Sequence, residues 1–216
     1  MNIYAFYEPL DEFSTVHQDQ LKLIELWKKS WIYYGWNPIV YGIKECKLSN
    51  DYDRVYDVCH KLPTVNIKTY ELYCFLRWLY MGEIGGWYAD LDMINYGFTP
   101  IESHNKTITT SVVLHCSSIH MPINGYKSVI ESFKNLKESD KRYGIVNDNK
   151  HFADMYILES MRDIDIKLDI QKEYMDVGYE DAKIVHYHFG IYNKNNTSGK
   201  TRTQIILEDP RTNIFI

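Results

Sequence analysis

The feature that most constrains this chain is its opening forty residues. "NIYAFY", residues 2–7, alternates as a half-buried strand does. Across residues 18–34, Leu23, Trp27, Trp31 and Tyr34 recur at three- and four-residue spacing, the apolar stripe of an amphipathic helix. Gly35 suits the end of that helix, and Asn37-Pro38 marks a turn into a second apolar strand, "PIVYGI". A helix-length crossover returns the chain to the end of the sheet where it started. The two strands are therefore expected to lie parallel, in an α/β fold.

Further along, residues 50–62 read as polar and irregular. Thr69 is placed to cap a helix running to about Glu83, with Leu72, Leu76, Leu79 and Tyr80 facing inward. A double glycine ends it, and "WYADLDM" follows as a short extended segment. "TITTSVVL", residues 107–114, is the strongest strand pattern in the chain. Helices are expected over 126–137 and from about Asn147-Asp148 through "KHFADMYILESM". "KIVHYHF" reads as a late strand, followed by a polar loop and "TQIILE". The 216 residues suffice for one sizeable core, so a single domain is expected, with halves at about 1–97 and 98–216.

The formal charge of −5 and the lack of a long basic run argue against a general nucleic-acid binder. No uninterrupted apolar run of about 18 residues is present to span a membrane. "MNIYAFYEPLDEF" has no basic leader region, and the expected location is cytoplasmic. Cys46, Cys59, Cys74 and Cys116 show no CxxC spacing and are expected as reduced thiols.

Chemistry is concentrated in "GGWYADLDM", residues 85–93. Residues two apart on an extended segment point the same way, so Asp90 and Asp92 are expected to project together from a strand end while Leu91 faces the core. Ligands of α/β sheets gather at such ends. Two convergent carboxylates repel and suit a hard divalent cation, Mn²⁺ or Mg²⁺, that carries phosphate oxygens. Gly85 and Gly86 allow a tight turn and a close approach of backbone to ligand. A bare DxD on a solvated loop carries none of this meaning.

The wider segment "RWLYMGEIGGWYADLDM" resembles the sugar-binding region of GT-A glycosyltransferases, most closely the family-32 type. The match is at Arg77, Gly85, Gly86, Tyr88, Asp90 and Asp92, within residues 69–97. The resemblance implies a three-layer α/β/α sandwich with a mostly parallel central sheet. It also implies a metal-dependent transferase that moves a sugar from a nucleotide-sugar, UDP-sugar favoured over GDP-sugar, to a hydroxyl of a glycan or glycoprotein acceptor. It assigns Asp90 to the ribose and donor sugar, Asp92 to the divalent ion and Arg77 to the diphosphate or donor sugar. Family members usually have an Asp three residues before the Arg, where this chain has Cys74. The resemblance tilts toward retention of configuration.

Other clusters fit the same chemistry and also have plainer readings. In "VHYHFG", His186 and His188 share a strand face, and an imidazole is a good further ligand for Mn²⁺; equally, one is a core histidine. Lys200 and Arg202 either clamp a leaving diphosphate or are solvated loop cations. Asp148 either caps a helix or acts on the acceptor hydroxyl, with Asp154 behind it as the weaker choice; His115 is a further acceptor-side candidate. Tyr7, beside Glu8 at the end of the first strand, either stacks on the nucleotide base or packs in the core. Two rival functions remain: a nucleotide- or sugar-binding module without catalysis, and a phosphatase of the haloacid-dehalogenase type, whose DxD normally lies near the N-terminus and runs on to Gly-Thr.

Overall fold

A computed structural model of the protein describes residues 1–10, 15–100, 108–110, 118–121, 123–161, 168–169, 174–176, 182–187 and 199–216. Strand β1 (Asn2–Phe6), helix α1 (Thr15–Tyr33) and strand β2 (Asn37–Tyr41) form the expected opening unit, with β1 and β2 parallel in register from Asn2 against Asn37 to Phe6 against Tyr41. Leu23, Trp27 and Trp31 are fully buried, and Gly35 ends the helix at φ +87°. Tyr34 lies just past the helix and is half-buried.

Residues 50–62 are not irregular. Short α2 (Ile43–Cys46) is followed by α3 (Tyr52–Cys59), which buries Val55 and Cys59. Helix α4 (Lys68–Ile84) begins without a side-chain cap: Ile67, not Thr69, holds the N-cap position. Burial of Leu72, Phe75, Leu76 and Leu79 stabilises it instead. Next come β3 (Gly86–Ala89), β4 (Met93–Asn95), β5 (Ile108–Thr110), β6 (Ser118–Met121) and α5 (Ile123–Lys134). Of the strand expected over 107–114, the described part is β5.

Asn147 and Asp148 do not open a helix. They are the turn of a hairpin between β7 (Gly144–Val146) and β8 (Asn149–His151), both at positive φ, as a tight hairpin turn demands. Helix α6 starts later, at Asp154–Met161. Strands β9 (Leu168–Asp169), β10 (Tyr174–Asp176) and β11 (Ile184–His186) follow. "TQIILE" lies in a helix, α7 (Arg202–Glu208), before a 3₁₀ turn at Pro210–Ile214. The Thr201 hydroxyl accepts from the Gln204 N–H, and the Gln204 side chain accepts from the Thr201 N–H, a reciprocal cap that was readable as T-x-x-Q.

The result is an α/β domain. Its main sheet runs β2-β1-β3-β6-β5-β9. The half formed by β2, β1 and β3 is parallel; β6 pairs antiparallel with both β3 and β5, and β5 pairs parallel with β9, so five of the six strands run in one direction and β6 alone is reversed. A smaller sheet, β10-β11-β4, is also mixed. Alternation along β1 and β3 feeds two cores. Ile3, Ala5, Trp87 and Ala89 pack with Trp27 and Trp31 of α1, while Tyr4, Phe6 and Tyr88 pack toward α4 and α5.

The double glycine is a turn device. Gly85 (φ +66°) and Gly86 (φ +103°) connect α4 to β3, and neither lines the cavity described next. The close approach is to protein: a Cβ on Gly85 would stand 3.0 Å from the Ile123 nitrogen, while one on Gly86 would meet nothing nearer than a Tyr4 ring carbon at 3.9 Å. Gly85→Ala is therefore expected to lower unfolding free energy by about 2–4 kcal/mol, backbone strain and crowding together, and Gly86→Ala by about 1–2 kcal/mol from strain alone. Urea-denaturation midpoints check both values, and equal effects would refute the crowding account.

Candidate functional site

The parallel strands β1 and β3 end at a cavity of about 930 Å³. On the helix that leads into β3, Ile67, Tyr70, Glu71, Cys74 and Arg77 recur at three- and four-residue spacing and all line it. The other side of the helix carries Leu72, Phe75, Leu76 and Leu79 into the core.

Asp90 and Asp92 are not on an extended strand. Between β3 and β4 the chain makes a turn, closed by the Met93 N–H donating to the Asp90 carbonyl at 3.0 Å. Both carboxylates still reach the cavity, with Leu91 beside them rather than in the deep core. The turn is held from behind. Trp31 Nε1 donates to the Met93 carbonyl at 3.2 Å, and the Tyr187 N–H donates to the Asp92 carbonyl at 2.9 Å.

Each carboxylate has its own arginine. Arg77 Nη1 donates to Asp90 Oδ1 at 2.7 Å and to the Tyr88 hydroxyl at 3.1 Å, and that hydroxyl donates on to Asp90 Oδ1 at 2.9 Å. The other edge of the guanidinium is fixed by Asp154. Its Oδ2 accepts from Arg77 Nε at 3.1 Å, Arg77 Nη2 at 2.6 Å and Trp78 Nε1 at 2.8 Å. Arg202 Nη1 stands 3.2 Å from Asp92 Oδ2, and His186 Nε2 stands 3.4 Å from Asp92 Oδ1. The antiparallel pairing of β11 with β4 sets His186 opposite Met93 and so beside Asp92. Arg202 is placed by α7, which Thr201 and Thr203 tie to Asp19 of α1 through their hydroxyls, at 2.9 and 3.2 Å.

The two neighbouring carboxyls titrate apart. Burial pushes Asp90 up to about 6, against the pull of Arg77 and with the charge of Asp92 adding to the rise. Burial acts on Asp92 in the same direction, yet Arg202 and His186 outweigh it and hold Asp92 below the ordinary carboxylate range. Burial opposes the charged form of His186, but Asp92 prevails and raises its pKa.

Of the remaining expected residues, Tyr7 lines the cavity, its ring stacked on His17 at 5.9 Å and its hydroxyl 2.5 Å from His17 Nδ1. Lys200 is away from the cavity lining and pairs with Glu208 at 2.6 Å. Asp148, exposed at its hairpin turn, does not line the cavity either. His188 and His115 lie outside the described residues. Cys46 and Cys59 are buried free thiols and Cys74 a half-buried one, while Cys116 lies outside the described residues.

Sequence reasoning passed over Glu71 and His151. Glu71, Cys74 and Asp154 bring ligand atoms within 4.8 Å of one another, a buried cluster with the donor set to chelate a metal ion in general terms. Its Asp154 Oδ2 is already engaged by Arg77 and Trp78, and burial pushes the Cys74 thiol well up, so it is protonated near neutral pH. A polar stripe on an otherwise apolar helix was the available signal. No family model matches the chain, nor does any curated protein or solved structure.

Burial, only partly offset by the hydrogen bond from Asn66, pushes Glu71 up to about 7 from its ordinary 4.5. The folded state then holds this proton more tightly than the unfolded chain. The contribution of Glu71 to stability is complete below its unfolded pKa and is lost as pH rises through its folded value. Thermal denaturation between pH 5 and 8 is expected to show a decline that Glu71→Gln flattens by a few kcal/mol at most. Parallel profiles for the two proteins would refute this.

Proposed function

We propose that the protein is a metal-dependent glycosyltransferase acting on a nucleotide-sugar, with UDP-sugars favoured. The observation that carries this reading is a convergence. Tyr7, Arg77, Asp90, Asp92, His186 and Arg202, drawn from five separate parts of the chain, line one cavity at the ends of parallel strands. Helices on both sides of β1 and β3, and a main sheet in which all strands but β6 run in one direction, accord with a GT-A-like arrangement.

The residues present fit a divalent ion. Asp92 Oδ1 and His186 Nε2 are a hard oxygen and an imidazole nitrogen 3.4 Å apart, a spacing two ligands about 2.1 Å from one ion can adopt. Asp92 is held ionised, as a ligand must be. An ion bound there supplies Lewis-acid stabilisation of a departing diphosphate. The chain's own part is to hold Asp92 and His186 in position, to bring the cation of Arg202 to the same point and to close the cavity wall with Tyr7 at the end of β1. Asp90 is fixed through Oδ1 by Arg77 and Tyr88, which leaves Oδ2 to accept a hydrogen bond from a ribose or sugar hydroxyl. The DxD turn lies mid-chain after α4 and the double glycine and runs on to Met93-Ile94 rather than Gly-Thr, which counts against the phosphatase reading.

Arg77 has a narrower part in this reading than its resemblance implies. A guanidinium has five N–H donors, and four hydrogen bonds here go to protein. Arg77 positions Asp90, and Arg202 takes the diphosphate.

Calorimetry of UDP and GDP, each with and without Mn²⁺, tests the proposal on the wild type and on Asp92→Asn. Tight binding of one nucleotide that needs Mn²⁺ and falls below detection in the variant is the expected result. Absence of binding by either nucleotide under every condition would overturn the reading.

A further inference from the structure

The cavity is larger than the donor reading needs. At about 930 Å³ it stands at the upper end of the range for one small-molecule ligand. The groups assigned to the nucleotide and ion, Tyr7, Asp90, Asp92, His186 and Arg202, account for only part of its lining. A further part is formed by the N-terminal end of α4 and the segment before α6, with Asn66, Ile67, Tyr70, Glu71 and His151, while Arg77 lies further along the same helix.

The chemistry of that end differs from the rest. The arginines lining the cavity are Arg77, shared between Asp90 and Asp154, and Arg202, paired with Asp92, and no lysine lines it among the described residues. The nearest of these cations, Arg77, is already taken up by two carboxylates, which disfavours a phosphate there. What the end offers is hydrogen bonding to neutral polar groups. Asn66 Nδ2 donates to Glu71 Oε2 at 2.8 Å, and His151 Nδ1 lies 3.1 Å from the Thr64 hydroxyl. His151 Nε2 and Glu71 Oε2 are 3.8 Å apart, too far to bond directly and close enough for one inserted hydroxyl to reach both. Above this floor, Tyr70 is 50% exposed and Ile67 67% exposed, although both line the cavity. An exposed aromatic ring beside buried acceptors and donors provides a flat apolar face next to hydroxyl-binding groups.

We propose that this end of the cavity is a carbohydrate-binding subsite, with a sugar ring laid on Tyr70 and its hydroxyls bonded to Glu71, Asn66 and His151. The inference rests on the glycosyltransferase reading in assigning that sugar as the acceptor. It deepens that reading by naming the acceptor class as a glycan rather than a protein side chain or lipid.

Saturation-transfer NMR with the methyl glycosides of glucose, galactose, mannose and N-acetylglucosamine tests it, in the presence of UDP and Mg²⁺ and in their absence. At least one glycoside is expected to bind the wild type, and its affinity to fall about fivefold or more in both Tyr70→Ala and Glu71→Gln. Tyr70 is exposed, so its substitution leaves the core intact and keeps the test valid if Glu71→Gln perturbs folding. No glycoside signal from the wild type, or a signal that Tyr70→Ala leaves unchanged, overturns the proposal. Nucleotide calorimetry on the same wild-type preparation separates the two readings. Nucleotide binding without glycoside binding removes the subsite and leaves the donor site, whereas glycoside binding lost in the variants supports the subsite even if no nucleotide binds.

Discussion

The guanidinium of Arg77 joins, by directed bonds, three elements that a shared hydrophobic core brings together without fixing their register. It projects from α4, takes Asp90 from the turn after β3 and takes Asp154 from the start of α6, while the Trp78 and Tyr88 rings lie 5.0 and 5.4 Å from its central carbon. The net worth of a buried ion pair is small, because desolvating the charges opposes their attraction. Its specificity is another matter. A displaced α6 leaves Arg77 buried with half its partners gone, a penalty of about 3–5 kcal/mol. The triad therefore selects one packing of helix, turn and helix.

This arrangement also explains how two neighbouring aspartates are tolerated on a partly buried turn. Each is neutralised by a different element, Asp90 by α4 and Asp92 by α7 and β11, so the repulsion is divided. The unequal partners split the pair into one carboxyl that holds its charge firmly and one that is easily protonated. Asp92 is the more buried of the two, so its lower pKa comes from its two positively charged partners and not from exposure.

The local patterns were legible where period and punctuation agree. β1, α1 and β2 follow from alternation, a three- and four-residue stripe and Gly35, and α4 from its leucines. The cavity residues Tyr7, Arg77, Asp90, Asp92, His186 and Arg202 were all marked in the sequence, through spacing and resemblance. What escaped depends on tertiary contact or on turn chemistry. Asp148 looks like a cap until Asn147 is seen at positive φ in a hairpin, and the polar run at 50–62 hides the buried positions Val55 and Cys59. The one reversed strand escaped as well, since nothing local in Ser118–Met121 says that it will enter antiparallel beside β3. Glu71 was invisible for another reason: a charged residue near a helix start reads as solvated until the elements around it bury it.

Behind the aspartate turn lies a chain of indoles. Trp27 contacts Trp31 at 6.1 Å, Trp31 contacts Trp36 at 5.5 Å and Trp36 contacts Trp87 at 5.5 Å, with steep angles between neighbouring planes. Transition dipoles this close and this skewed couple as excitons, and the coupling weakens with the cube of the distance as the rings separate. Four of the five tryptophans thus form one chiral chromophore attached to the wall of the cavity, and the fifth, Trp78, is bonded to Asp154 inside it. In optical terms the protein carries two built-in reporters, one for the sheet that supports the site and one for the ion pair at its centre.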